Sequence, residues 1–180
     1  YFGDPDLDTF HEWQEASGGL IKKIALAPER HGVEDFVKQV TDEGVVVALG
    51  HSNATIDEAQ KAVEAGASVF VHAYNGMRGL NHREPGMVGA LLSLEHVFSE
   101  LICDGHHVHP NAAEILMEKA GHDHVALITD CMMAGGMPDG NYNLGEFPVV
   151  VAEGTARLES GNLAGSILRL KEAIKNVVDW

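Results

Sequence analysis

Apolar, β-branched runs recur along this chain about every 25 residues, the length of one strand, one helix and two short loops. That period leaves few folds open. LIKKIALAPE (20–29), VVVALG (45–50), ASVFV (67–71), HVFSELICDG (96–105) and HVALITD (124–130) read as buried parallel strands. The stretches between them carry helical spacing. GVEDFVKQVTDEG (32–44) has apolar residues at 33, 36, 37 and 40 and stops at Gly44. TIDEAQKAVEAG stops at Gly66, MVGALLS is a short helix, and NAAEILMEKAG follows Pro110, which suits a first turn. An earlier helix, LDTFHEWQEAS, is capped by Asp6 or Asp8 and ended by Gly18-Gly19. After residue 131 the pattern changes. CMMAGGMPDGNYNLGEF reads as a long glycine-rich loop, and PVVVAEGTARLES as a β-hairpin insertion near 146–158 that turns at Glu153-Gly154. GNLAGS then leads into a final helix, ILRLKEAIKNVVDW.

Consecutive β/α units permit a doubly wound sheet or part of an eight-stranded barrel. The polar residues favour the barrel. His51, His72, the DGHH cluster and Asp130 all fall at strand C-termini, and a site drawn from the ends of many successive strands is the mark of a (β/α)8 barrel. A doubly wound sheet would gather its site at one switch point, with a glycine-rich phosphate turn after its first strand. The expectation is an α/β chain forming part of a TIM (β/α)8 barrel, with residues 1–180 as one partial catalytic domain. Starting at Tyr1 without methionine and stopping at Trp180 inside a helical pattern, the chain reads as part of a longer protein.

Composition removes several function classes. A net charge of −15 with scattered Lys and Arg speaks against nucleic-acid binding. No apolar run approaches the roughly 20 residues that span a bilayer. Cys103 and Cys131 form neither a CxxC site nor a disulfide framework, so a reducing cytoplasm is expected, and both read as small buried residues.

The chemistry begins with His51 and His72. Each follows an apolar run, and one helical segment separates them. If the two strands are neighbours, their ends lie about 4.8 Å apart, close enough for two imidazoles to share one ion. Among eleven histidines such a pair is a modest signal. Asp130, at a later strand end, strengthens it: two histidines and an aspartate suggest metal-assisted hydrolysis, the ion activating water and polarising a carbonyl while the carboxylate moves protons. Read alone, Asp130 is equally a helix N-cap or a solvated acid. Arg83, in a polar loop, suits a phosphate or carboxylate, or else pairs with Glu84. His107 is the candidate to bond the substrate, and His106 and His109 read as surface or capping residues.

GHSNAT, the H-x-Y-N-G-M run, HREPG, DGHHVHP, the L-I-T-D strand end, AGGMPDG and NLAGS, in this order, resemble the N-acetylglucosamine-6-phosphate deacetylases of the amidohydrolase superfamily. The resemblance implies a metal-dependent-hydrolase barrel that removes the N-acetyl group of N-acetylglucosamine-6-phosphate in amino-sugar catabolism. It implies that His51 and His72 bind a divalent metal, zinc first, with iron, manganese or cobalt as alternatives. Asn75 and Gly76 match a substrate-contacting pair. Arg83 matches the arginine that grips the sugar phosphate near a homodimer interface. Asp104, Gly105, His106 and His107 match a substrate-binding turn, with His107 facing the scissile amide. Asp130 matches the catalytic acid/base, and Leu163, Ala164 and Gly165 match a segment lining the site. The family's third metal ligand is a glutamate upstream of this chain, and the first strands and small β-domain are absent too. Tyr1-Phe2 resembles the residues just after that glutamate, and the family carries a longer stretch before the equivalent of DPDLD, so residues are expected to be missing near Gly3. Cys131 stands where a smaller residue is expected. The alternatives are another amidohydrolase acting on a cyclic amide or an aminated base, and a non-catalytic sugar-phosphate binding protein.

Overall fold

A computed structural model describes residues 3–180. The expectation concerning Tyr1-Phe2 and the join near Gly3 lies outside the described residues. The chain divides into two compact units. The first runs to Glu100 and takes in Met117–Val125, and the second comprises Leu101–Leu116 and Ala126–Trp180.

The first unit opens with helix α1 (Leu7–Ala16), whose Asp6 cap accepts the Thr9 N–H at 2.8 Å. Then β and α alternate: β1 (Lys23–Leu26), α2 (Val33–Asp42), β2 (Val46–Leu49), α3 (Ile56–Glu64), β3 (Val69–Phe70), α4 (Gly86–Ser93) and β4 (Phe98–Ile102), whose last two residues belong to the second unit. Each strand pairs in parallel with the next in sequence, Ala25 opposite Ala48, Ala48 opposite Val69 and Val69 opposite Phe98. Right-handed crossovers between strands added always on the same side leave every helix on one face, whereas a doubly wound sheet must reverse its order. Accordingly α2 packs on α3 and α3 on α4. The face bearing Val47, Leu49 and Phe70 is fully buried, while Val46 and Phe98 on the opposite face are exposed. Phe10 and Phe36 meet edge to face in the helix layer, with ring centroids 6.0 Å apart.

The strands are shorter than their apolar runs. ASVFV keeps only Val69 and Phe70, because the chain turns out of the ladder at His72.

Helix α5 (Pro110–Ala120), which begins in the second unit, starts at its proline as expected, and β5 (Val125–Ile128) runs toward Asp130. The insertion is larger than the two-stranded hairpin near 146–158. Strand β6 (Gly140–Leu144) lies in what reads as a loop and pairs antiparallel with β7 (Phe147–Ala152), which pairs in turn with β8 (Thr155–Leu158). β6 escapes detection because GNYNL has little apolar alternation and borrows its place from β7. The expected turn is correct: Glu153 and Gly154 both have positive φ, 51° and 79°, as a tight two-residue hairpin requires. Met132, Ala134, Val149, Val151, Ala156 and Ala164 form the core of this unit, and α6 (Leu170–Asp179) ends the chain.

Candidate active site

In the first unit the sheet delivers two imidazoles to one point. Gly50 ends β2 where a Cβ would lie 2.1 Å from Val71 Cγ2, so only glycine lets the neighbouring strand end come so close. Both histidines then leave their strands in the left-handed region, His51 at φ 47° and His72 at φ 30°. Their Nε2 atoms are 2.8 Å apart and their rings nearly perpendicular, at 85°. Two nitrogens bound to one tetrahedral zinc at roughly 2.0–2.1 Å stand about 3.3 Å apart, so a small opening of the pair accommodates an ion.

The other face of His72 is fixed. Its Nδ1 lies 3.0 Å from the Asn75 carbonyl, a bond that puts the proton on Nδ1 and leaves the Nε2 lone pair free. The Asn75 side chain donates to the Ala73 carbonyl at 3.1 Å. Gly76 has φ 60°, and a Cβ there would lie 3.1 Å from His51 Nδ1, so the loop closes over that ring only with glycine. Beyond the histidines the two loops stay paired, Ser52 N–H donating to the Gly76 carbonyl and Arg78 N–H to the Ser52 carbonyl, each at 2.9 Å.

Two acids without a mark in the local pattern tie the neighbouring loops together. Glu29, just after β1, accepts the Ser52 hydroxyl at 2.6 Å and the Asn53 N–H at 2.9 Å. Glu84 accepts from the backbone N–H groups of Ile56 and Gly86, each at 3.0 Å. Those bonds hold its carboxyl below the usual range. Nothing in the local pattern marks either residue's distant bonds, because Ser52 and Asn53 lie 23 and 24 residues from Glu29, and Ile56 lies 28 from Glu84. Arg83 is exposed; its N–H donates to Asn81 Oδ1 at 3.1 Å, and among the described residues it makes no ion pair with Glu84.

The second unit holds the remaining candidates. In the DGHH turn Asp104 Oδ1 accepts the N–H groups of both His106 and His107 at 2.8 Å, and Oδ2 meets His107 Nδ1 at 2.6 Å. The His107 side chain is 6% exposed and that of Asp104 10%. Burial pushes the Asp104 carboxyl up, but the bonds to His107 and His106 outweigh it and leave it below the ordinary value. Asp104 is thus an anchor that presents His107 through Nε2. Gly105 takes the positive φ of the turn, 78°. His106 is exposed, and His109 caps α5, its Nδ1 accepting the Asn111 N–H at 3.2 Å.

Asp130 is exposed at φ 48°, and no helix begins after it, so the N-cap reading falls away. Its backbone is held by the NLAGS segment. Ser166 N–H donates to the Asp130 carbonyl at 2.8 Å, and a Cβ on Gly165 would lie 3.1 Å from that oxygen. Ala164 is buried at 3% exposure, and Leu163 is half-buried. The cysteines part company: Cys103 is buried as expected, whereas Cys131 is exposed. Burial and then the Asp104 charge push the Cys103 thiol up to about 11.

No group of three or more His, Cys, Asp or Glu able to hold a metal exists among the described residues. Two converging imidazoles, with the His72 tautomer fixed by the Asn75 carbonyl, fit a divalent ion, and a catalytic zinc normally takes three protein ligands.

No protein-family model matches the chain, but individual proteins do. It is 44% identical over 180 residues to an N-acetylglucosamine-6-phosphate deacetylase of Vibrio furnissii, which covers 100% of this chain and 45% of that protein. Against an N-acetylgalactosamine-6-phosphate deacetylase of Escherichia coli O157:H7 it is 47% identical over 178 residues, 99% of this chain and 47% of that protein. A solved structure of N-acetyl-D-glucosamine-6-phosphate deacetylase from Mycobacterium smegmatis, in complex with N-acetyl-D-glucosamine-6-phosphate, matches with a TM-score of 0.94. The match is 36% identical and covers 98% of this chain and 46% of that one. Along its whole length the chain is a relative of these deacetylases. It spans about 45% of the length of the first of them. The resemblance read from the ordered motifs is borne out, as is a parallel α/β architecture shared with the deacetylase structures. Among the described residues no helix is long and apolar enough to cross a membrane.

Proposed function

We propose that these residues are part of a metal-dependent deacetylase that hydrolyses N-acetylglucosamine-6-phosphate to glucosamine-6-phosphate and acetate, in a closed (β/α)8 barrel completed by further strands. The meeting of His51 and His72 at Nε2 carries this reading, because two imidazole nitrogens aimed at one point suit a shared cation or a shared proton. The ion supplies a water of lowered pKa and a Lewis acid for the acetyl carbonyl. Zinc is the first choice, and iron, manganese and cobalt suit the same donors. The upstream glutamate is the third ligand.

The chain's own residues do the rest. Asp130 takes the proton of the attacking water and passes it to the amine nitrogen as the C–N bond breaks and the new C–O bond forms. His107 bonds the carbonyl oxygen through Nε2, held by Asp104 at Nδ1. Arg83 receives the sugar phosphate through its planar fork, near the interface of a homodimer. Asn75, Gly76, Gly105, His106 and the Leu163–Ala164–Gly165 segment bound the sugar. The enzyme works in the cytoplasm.

The test is acetate release by the full-length protein from N-acetylglucosamine-6-phosphate, with elemental analysis for the metal. A protein that holds no transition metal and releases no acetate defeats the reading in favour of a sugar-phosphate binder. A second reading, the galactosamine epimer as substrate, is favoured by the 47% identity to an N-acetylgalactosamine-6-phosphate deacetylase. The ratio of kcat/KM for the two epimers decides between them.

A further inference from the structure

HREPG is the motif the chemistry above uses least, since only its arginine has a task. The next residue, Glu84, makes two bonds that join separate parts of the first unit. Its Oε1 accepts the N–H of Ile56, 28 residues away, and the N–H of Gly86, each at 3.0 Å. Ile56 opens α3 and Gly86 opens α4. One carboxylate oxygen therefore bridges the first N–H groups of two helices, where orphan donors and the helix dipoles favour a negative charge.

Those bonds are not redundant with the local caps. At the start of α3, Thr55 and Glu58 already form a capping box, Glu58 Oε2 accepting the Thr55 N–H at 2.8 Å and Thr55 Oγ1 accepting the Glu58 N–H at 3.3 Å. The Ile56 N–H is left over, and Glu84 takes it. At the start of α4 there is no side-chain cap other than Glu84. Gly86 sits there at φ 62° with no room for a side chain, since a Cβ would lie 2.8 Å from Arg78 Cγ. Arg78 is in turn tied to the loop after His51, its N–H on the Ser52 carbonyl at 2.9 Å and its Nη1 on the Asn53 carbonyl at 3.4 Å. The HREPG loop is thus fastened behind Arg83 to the segment that follows His51. Between Gly79 and Arg83 the loop is held, among the described residues, by the short-range bond of the Arg83 N–H to Asn81 Oδ1.

We propose that Glu84 is a positioning residue that fixes the Arg83 loop to the start of α3, so that the phosphate grip and the His51 strand end are held in one frame. This rests on the functional reading given above, in which Arg83 binds the phosphate. Glu84 touches neither substrate nor ion; its effect passes through the backbone of residues 83–86. Glutamine keeps one acceptor oxygen of the right reach and is the conservative replacement, while alanine keeps none.

The experiment compares Glu84→Ala and Glu84→Gln with the parent in the full-length protein, by two readouts. The first is amide hydrogen exchange at Ile56 and Gly86, expected to speed up about tenfold or more in Glu84→Ala and less in Glu84→Gln. The second is kinetics with N-acetylglucosamine-6-phosphate and with unphosphorylated N-acetylglucosamine. Glu84→Ala is expected to raise KM for the phosphorylated sugar about tenfold while kcat stays within about threefold, with kcat/KM for the plain sugar nearly unchanged and Glu84→Gln in between. Unchanged exchange at both amides overturns the proposal, and so does an equal loss on the two sugars or a fall in kcat alone. If Glu84→Ala does not fold, the Glu84→Gln exchange and KM decide in the same way. A parent protein that hydrolyses neither sugar defeats the functional reading instead, and the exchange data still decide whether Glu84 holds the loop.

Discussion

The pair His51–His72 and the Asp104–His107 turn place imidazoles by opposite means. In the DGHH turn the orienting carboxylate is three residues away, the pair is almost wholly buried, and a glycine takes the left-handed φ. Four consecutive residues suffice. At His51 and His72 the histidines themselves adopt positive φ, a conformation costing about 1–2 kcal/mol for a residue with a side chain, and His51 is exposed. What surrounds them comes from elsewhere in the chain: Gly76 against the His51 ring, the Asn75 carbonyl on His72, and Glu29 on the two residues after His51. Asp130, also exposed and at positive φ, belongs with the histidines and relies on the NLAGS segment in the same way. The difference teaches that the exposed side chains at positive φ, His51 and Asp130, stand open on support borrowed from other loops, whereas His107 is a buried, pre-set arm needing little from distant residues.

Variants sharpen that contrast in decreasing order of effect. His51→Ala or His72→Ala is expected to lower both bound metal and kcat/KM by more than about a hundredfold, since loss of a mere supporting partner already costs 10–100-fold. Metal analysis of the purified variants checks this, and full retention of metal by either would break the assignment. Asp130→Asn is expected to keep its metal and lose about 10²–10⁴ in kcat, read by acetate release.

Asp104→Asn tests the self-contained turn. Burial raises its carboxyl, but the bonds from His107 and His106 hold it below the ordinary aspartate value in the fold, so the ionised form is the one the fold favours. That contribution is fully present above the unfolded-state value and lost as pH falls through the folded one. Melting temperature followed from pH 7 down to about 3 should therefore show a steeper acid fall in the parent than in Asp104→Asn, which also loses about 2 kcal/mol at neutral pH from a poorly paired buried site. Equal acid slopes would count against the anchor.

Gly165→Ala presses on the Asp130 carbonyl and must adopt φ near 61°; about 1–2 kcal/mol of stability should go, with kcat falling more than KM changes. The smallest effect is chemical. Iodoacetamide at pH 8 should label Cys131 and spare Cys103, whose thiol is buried and raised to about 11, as peptide mass analysis would show.

How much of this was legible in advance depended on distance along the chain. The strand and helix sites were, because periodicity is local: Asp6, Gly66, Pro110 and Glu153-Gly154 stand where their capping and turn chemistry puts them. The histidines, Asp104 and Asp130 were found as strand-end residues, and the ordered motifs carried the deacetylase likeness. β6 was not, since its polar GNYNL pairs only because β7 lies beside it. Cys131 was expected to be buried because it closes an apolar run, yet it lies past the strand on the exposed turn.

Residue order thus set the β/α rhythm, the turns and which side chains stand at strand ends, all of which depend on neighbours within a few positions. Tertiary structure decided the sequential parallel order that puts the helices on one face, the 2.8 Å meeting of His51 and His72, and the roles of Glu29 and Glu84. Those features come from loops 21 to 28 residues apart being brought into contact, and a contact of that kind leaves no periodic trace in either partner.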